Sequence, residues 1–196
     1  MRIIKLKNPK TELYTEIKNH ILGNSNLGRE PFSWGYAKTT TPDLRKHFYP
    51  ILKKYHLEDK NVYNPPMYNH VFLGRTEHLN LYTRTFSEMY MENINQMYCE
   101  ILNTNIDIMQ GFNMMCRCAA NAVEPSQKKD IITQPHIDHD FPHKNMLIYL
   151  TDAGGSTFVE GEEFAPEEDD VIIFEGIHWH ELPKEKRRVV LVMTYI

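Results

Sequence analysis

Residues 134–196 read QPHIDHDFPHKNMLIYLTDAGGSTFVEGEEFAPEEDDVIIFEGIHWHELPKEKRRVVLVMTYI, and the fold turns on how this stretch divides. Its apolar runs MLIYL, VIIF and VVLVM are short and separated by clusters of Gly, Pro, Asp and Lys. That is the texture of brief strands joined by turns. Carried upstream, the same criterion predicts strands at 106–110, 112–123, 131–137, 145–151, 156–160, 170–175 and 188–195, with an exposed loop, EPSQKKD, at 124–130. Short strands at this spacing argue for a sandwich, jelly roll or barrel.

Before residue 104 the pattern is helical. KTELYTEIKNHIL, residues 10–22, carries apolar positions at helical spacing and stops at Gly23. Residues 42–57 open with Pro42 and Asp43 behind the N-cap candidate Thr41. Residues 85–103 set Met89, Ile94, Met97 and Ile101 on one side. The rest of residues 30–82 is rich in Pro, Tyr and His and is not placed. The expected class is α+β, in a single domain spanning 1–196. A helical layer over 1–104 supports a carboxy-terminal β-structure over 105–196.

A chain of 196 residues with 41% hydrophobic content can bury one core. The formal charge of −4 provides no general attraction to phosphate backbones, so duplex nucleic acid is not favoured as a partner. No run approaches the roughly 18 apolar residues of a membrane span, and the amino terminus lacks the apolar core of a signal peptide. A soluble, cytoplasmic protein is expected. The three cysteines, Cys99, Cys116 and Cys118, read as reduced, packed thiols.

The chemistry lies in the opening stretch. His136 and Asp138 form H-x-D at the end of an apolar strand, where alternate side chains share a face. A second imidazole can come from His178 or His180, both following VIIF. Two histidines and one carboxylate on one side of an iron leave the opposite side open to other ligands. Arg188 opens the strand RVVLVMTYI, where a buried guanidinium needs a carboxylate. Its planar fork suits the far end of a dicarboxylic acid, and Tyr149 in MLIYL could hydrogen-bond the same group.

The order of these pieces resembles the 2-oxoglutarate- and Fe(II)-dependent oxygenase superfamily, in particular its prolyl-hydroxylase-type and small phage-encoded branches. The resemblance runs over about residues 105–196. It comprises His136-Ile-Asp138, Leu147-Ile-Tyr149-Leu150, Gly154-Gly155-Ser-Thr157-Phe158, Ile172-Ile173-Phe174, His180-Glu-Leu-Pro183 and Arg188. It implies a double-stranded β-helix of jelly-roll type, with His136, Asp138 and His180 holding Fe(II). His180 is preferred over His178 because such proteins place this histidine just before a short segment ending in Pro. The co-substrate implied is 2-oxoglutarate, held by Arg188 and Tyr149, with Asn121 of RCAAN touching it. Decarboxylation to succinate would accompany hydroxylation of a C–H bond by O₂. The substrate stays open between a small molecule and a protein side chain. The alternatives are a non-oxygenase, metal-dependent cupin-like enzyme and an inert barrel that serves as a binding module.

Overall fold

The computed structural model describes residues 2–24, 31–38, 45–75, 88–108, 112–128 and 130–196, with backbone alone at 45–48 and 88–90. In chain order its elements are β1 (Ile3–Leu6), α1 (Glu12–Ile21), β2 (Gly35–Ala37), α2 (Arg45–Lys54), β3 (Asn61–Val62) and β4 (Met67–Leu73). Then follow α3 (Glu88–Thr104), β5 (Met115–Val123), β6 (Ile131–Ile132), β7 (Lys144–Tyr149) and β8 (Thr157–Val159). The chain ends with β9 (Glu162–Phe164), β10 (Val171–Phe174), β11 (His178–His180) and β12 (Arg188–Tyr195).

From β5 onward the chain passes back and forth between two sheets. The larger has seven strands in the order β1-β10-β7-β12-β5-β4-β2. The smaller has the order β11-β8-β9, and bridges at Ile132–Glu181 and His136–His178 attach the β6 segment to its β11 edge. This alternation is the double-stranded β-helix, a jelly roll. The amino-terminal half lengthens the larger sheet at both ends, β1 pairing with β10 and β4 with β5.

The larger sheet is apolar on both faces. Its outer face presents Cys118, Ala120, Met146, Ile148, Leu191 and Met193 to Tyr14, Ile17 and Ile21 of α1 and to Ile94, Met97, Tyr98 and Ile101 of α3. Each such large side chain contributes about 1.5–3 kcal/mol on burial. The inner face carries Leu147, Tyr149, Ile172, Phe174 and Val192 against Val159 of β8. A strand buried on both sides reads as a continuous apolar run, which is why MLIYL and VIIF do not alternate.

Both helices with described termini obey local rules. The Thr11 side chain accepts a hydrogen bond from the Tyr14 amide at the start of α1. Ile94, Met97, Tyr98 and Ile101 recur at the 3–4-residue spacing of one helical face. The proposed helix start at Thr41, Pro42 and Asp43 lies outside the described residues, as do 85–87 and the Met89 side chain. Cys116 and Cys118 are buried thiols outside any disulfide, whereas Cys99, expected to be packed, is an exposed thiol. Burial pushes the Cys118 thiol up to about 12, so it stays protonated beside the Tyr98 hydroxyl.

The expected strand at 106–110 is not formed over its described part. After α3 the chain turns, with the Asn105 amide bonded to the Leu102 carbonyl and the Ile108 amide to that of Asn105. The Asn105 side chain explains why. Its Oδ1 accepts from the Lys7 amide at 2.9 Å, while Nδ2 donates to the carbonyls of Lys7 and Ile101. That clamp ends the helix and fixes the strand β1 to it. Residues 109–110 lie outside the described residues. Among the described residues no helix is long and apolar enough to cross a membrane.

A second clamp joins α1 to the turn before β10. Asp169 accepts from the Tyr14 hydroxyl at 2.7 Å and pairs with Lys18 and Lys10. Burial works to raise its carboxyl pKa, but hydrogen bonds from Lys18, Tyr14 and Lys10 prevail and hold it below the ordinary 3.8. The folded state therefore binds this proton less readily than the unfolded chain. Its contribution is complete above about pH 4 and is lost as the pH falls through the depressed value. Thermal melts between pH 7 and pH 2 are expected to show acid destabilisation that is shallower in Asp169→Asn. Parallel curves for the two proteins would contradict this.

Candidate metal centre

The β6 segment and β11 run antiparallel, and His136 and His178 exchange both backbone hydrogen bonds at 3.0 Å. Residues paired in this way project to the same face. Their imidazole centroids are 4.3 Å apart. Asp138 closes the group, and ligand atoms of His136, Asp138 and His178 all lie within 4.8 Å of one another.

Hydrogen bonding sets which nitrogens face inward. Nδ1 of His136 lies 2.9 Å from the Gln134 carbonyl, and Nδ1 of His178 lies 3.3 Å from that of Gly176. A carbonyl only accepts, so the neutral rings carry hydrogen on Nδ1 and present the Nε2 lone pair. Burial, with a neighbouring His136, drives the His178 pKa down to about 3, so the ring is neutral at physiological pH. Its Nε2 lies 3.6 Å from Oδ2 of Asp138. Two acceptors thus face each other, an arrangement that a cation between them relieves. The other carboxylate oxygen, Oδ1, accepts from Arg75 Nη2 at 2.8 Å and Arg117 Nη1 at 3.0 Å. Burial opposes the charge on Asp138, yet Arg117 foremost, with His178, His136 and Arg75, holds the carboxyl far below its ordinary range. The donor set, two imidazole nitrogens and one carboxylate oxygen, fits a divalent cation of the iron type.

His180 does not join this group. It lies two residues beyond His178, where its Nδ1 meets Thr157 Oγ1 at 2.8 Å. Thr157 in turn meets the Tyr149 hydroxyl at 2.7 Å. Cross-strand register puts His178, and not His180, opposite His136, so the group that the structure brings together differs from the His136, Asp138 and His180 set expected from the sequence. His180 instead belongs to a second polar cluster with Thr157, Tyr149 and Arg188. Trp179 between them points the other way and stacks on Phe158 with centroids 5.5 Å apart.

Arg188 is 5% exposed. Its one hydrogen bond among the described residues goes from Nη1 to the Glu181 carbonyl at 3.0 Å. None of the ion pairs among those residues includes it. Burial pulls the guanidinium below its ordinary pKa, with Tyr149 and Glu181 acting in the opposite sense. An enclosed cation satisfied only by a carbonyl is costly unless an anion joins it.

Register on the inner face links the two clusters. Val190 stands between Tyr149 and Asn121, Val192 between Leu147 and Ala119, and Thr194 between Asn145 and Arg117. Arg188 and Tyr149 thus mark one end, Val192, Leu147 and Ala119 form an apolar middle, and Arg117 with Asp138 marks the metal end. Asn121 Oδ1 is buried with no protein partner among the described residues. Polar groups thus stand at both ends of this face with an apolar stretch between them.

Several solved structures are similar to this chain in fold. An oxidoreductase of the 2OG-Fe(II) oxygenase family from Burkholderia pseudomallei aligns with 99% of this chain and 85% of its own, at TM-score 0.58 and 11% identity. The fold is that of the 2OG-Fe(II) oxygenases. A viral collagen prolyl hydroxylase from Paramecium bursaria Chlorella virus-1, solved with 2OG, covers 99% of this chain and 94% of its own at TM-score 0.50 and 12% identity. The non-heme alpha-ketoglutarate-dependent epimerase SnoN from nogalamycin biosynthesis covers 100% and 77%, at TM-score 0.54 and 12% identity. No family profile matches the sequence, and no curated protein does.

Within this oxygenase fold, several site residues escaped the sequence reading. Arg117 was detectable in principle, since it shares strand parity with Ala119 and Asn121 on β5. Arg75 carried no signal, because β4 emerges from the unreadable segment 30–82. Thr157 was quoted only as part of a turn motif. That turn depends on Gly155, whose φ of +85° and 2.6 Å approach of a hypothetical Cβ to the Leu182 carbonyl exclude a side chain. His139 and His143 serve the surroundings, His139 Nε2 meeting Thr194 Oγ1 at 2.7 Å and His143 Nδ1 donating to the Phe141 carbonyl.

Proposed function

We propose that this chain is an Fe(II)- and 2-oxoglutarate-dependent dioxygenase that hydroxylates a C–H bond, with formation of succinate and CO₂. The observation that carries the reading is the enclosed Arg188 guanidinium, which meets no carboxylate among the described residues. It lies on the same inner face as an acceptor cluster suited to a cation. One end of the site favours an anion and the other a metal, and a metal-chelating dicarboxylate answers both.

In this reading His136, Asp138 and His178 hold the iron, which supplies O₂ activation when bound. Arg188 and Tyr149 bind the remote carboxylate, and His180 and Thr157 fix the Tyr149 hydroxyl. Asn121 offers a further hydrogen-bonding group on the same wall. Arg75 and Arg117 occupy Asp138 Oδ1, which leaves Oδ2 as the oxygen that would hold a metal. The apolar strip of Val192, Leu147 and Ala119 excludes water from the aliphatic stretch of the co-substrate.

Anaerobic addition of Fe(II) and 2-oxoglutarate is expected to give a weak charge-transfer band in the visible region. Admission of O₂ should then release succinate. Absence of both the band and succinate would exclude this function and leave a different metal enzyme or a binding barrel.

A further inference from the structure

Asn145 is fully enclosed, with 0% exposure, and neither its Nδ2 nor its Oδ1 has a hydrogen-bond partner among the described residues. Nothing in the packing requires an amide there. The strand β7 is paired on both sides at this position, with Phe174 across from it on β10 and Thr194 on β12. An aliphatic side chain would fill the place without leaving polar atoms unmatched. Buried amides without partners are selected against unless another use compensates.

Its neighbours place it in the fold. The Phe174 ring lies edge-on to the His178 ring with centroids 5.0 Å apart. Thr194 Oγ1 bonds His139, the residue after Asp138. Beyond Thr194 on the same rung is Arg117, which grips Asp138. Asn145 therefore lies level with the candidate metal ligands. Tyr149, beside Arg188, is four residues further along the same face of β7, or about 13 Å at ordinary strand rise.

We propose that Asn145 is a binding residue for the metal-proximal end of the dicarboxylate, its Nδ2 donating to an oxygen of that end. The proposal rests on the co-substrate reading above. It adds a second polar anchor to the one that Arg188 supplies at the remote end. The amide is then a group kept at the expense of stability for the sake of ligand binding.

The test compares wild-type protein with Asn145→Leu and Asn145→Thr, using two measurements. One is the melting temperature of metal-free protein. The other is the Kd of 2-oxoglutarate measured calorimetrically with Mn(II) in excess and without O₂. Metal-free Asn145→Leu is expected to melt about 2–6 °C higher than wild type, since an unmatched amide is gone. Its Kd for 2-oxoglutarate should weaken by about 10- to 100-fold, the range for a hydrogen bond to a charged group. Asn145→Thr keeps a donor and should fall between. A lower melting temperature or failure to fold in Asn145→Leu would mark the amide as structural and overturn the proposal. A Kd within about twofold of wild type would also overturn it, while leaving the co-substrate reading intact. If wild-type protein itself does not bind 2-oxoglutarate with Mn(II), that reading fails and this inference falls with it.

Discussion

Alanine at position 178 is expected to abolish metal binding, while alanine at position 180 leaves the metal in place. His178 presents an Nε2 lone pair at 3.6 Å from Asp138 Oδ2, so His178→Ala removes one of the three donors that the described residues bring together. Affinity for Mn(II) should fall by at least about 100-fold, beyond the 10- to 100-fold typical of groups that merely orient ligands. His180 acts through Thr157 on the Tyr149 hydroxyl. His180→Ala should bind Mn(II) within about tenfold of wild type and show its main defect in affinity for 2-oxoglutarate. Calorimetric titration of both variants decides the matter. The opposite pattern would restore the ligand set read from the sequence motif.

Arg188→Met should produce the complementary phenotype. Methionine follows much of the arginine stem without the charge, so packing is largely kept. A dicarboxylate bound as proposed would lose the enclosed cation at its remote end. Removing one partner of a buried charge pair costs about 2–5 kcal/mol, which weakens 2-oxoglutarate binding by roughly 30- to 4000-fold. Mn(II) affinity in the absence of co-substrate should change little, because Arg188 touches none of the metal ligands. The metal-free protein should melt no lower than wild type, since replacing an uncompensated buried charge with an apolar chain is neutral or stabilising. Unchanged 2-oxoglutarate affinity would remove the main support for the proposed function.

The two variants together separate the ends of the site. A ligand held between an anion-binding end and a cation-binding end fails in distinguishable ways when either is disabled. Asp138 shows how tightly the metal end is tied to the rest of the fold. Its Oδ1 is gripped by Arg117 from β5 and by Arg75 from just beyond β4. Strand β4 belongs to the amino-terminal half, so that half reaches the metal ligands directly and does more than support the barrel from outside.

Much of this was legible locally. The apolar runs around Met146, Ile172 and Leu191 marked strands because composition and turn residues act over a few positions. The α3 face of Ile94, Met97 and Ile101 was readable because helical spacing is equally local. Segment 30–82 was not readable, since β2 and β4 gain their order only by pairing, β4 with β5 and β2 with β4. The supposed strand at 106–110 failed for a related reason. Its β-favouring isoleucines were overruled by the Asn105 clamp on Lys7, a contact across 98 positions.

The three-ligand site with which the sequence began divides along the same line. By itself the sequence determined that His136 and Asp138 share a face, that the second imidazole follows VIIF, and that a guanidinium opens the last strand. Strand parity suffices for that, and parity is a property of the chain alone. It cannot separate His178 from His180, because both have the same parity. Only the tertiary structure distinguishes them, through the antiparallel register that sets His178 opposite His136 and places His180 against Thr157, which bonds Tyr149. Register depends on which distant strand is the neighbour, and no periodicity within a strand records that.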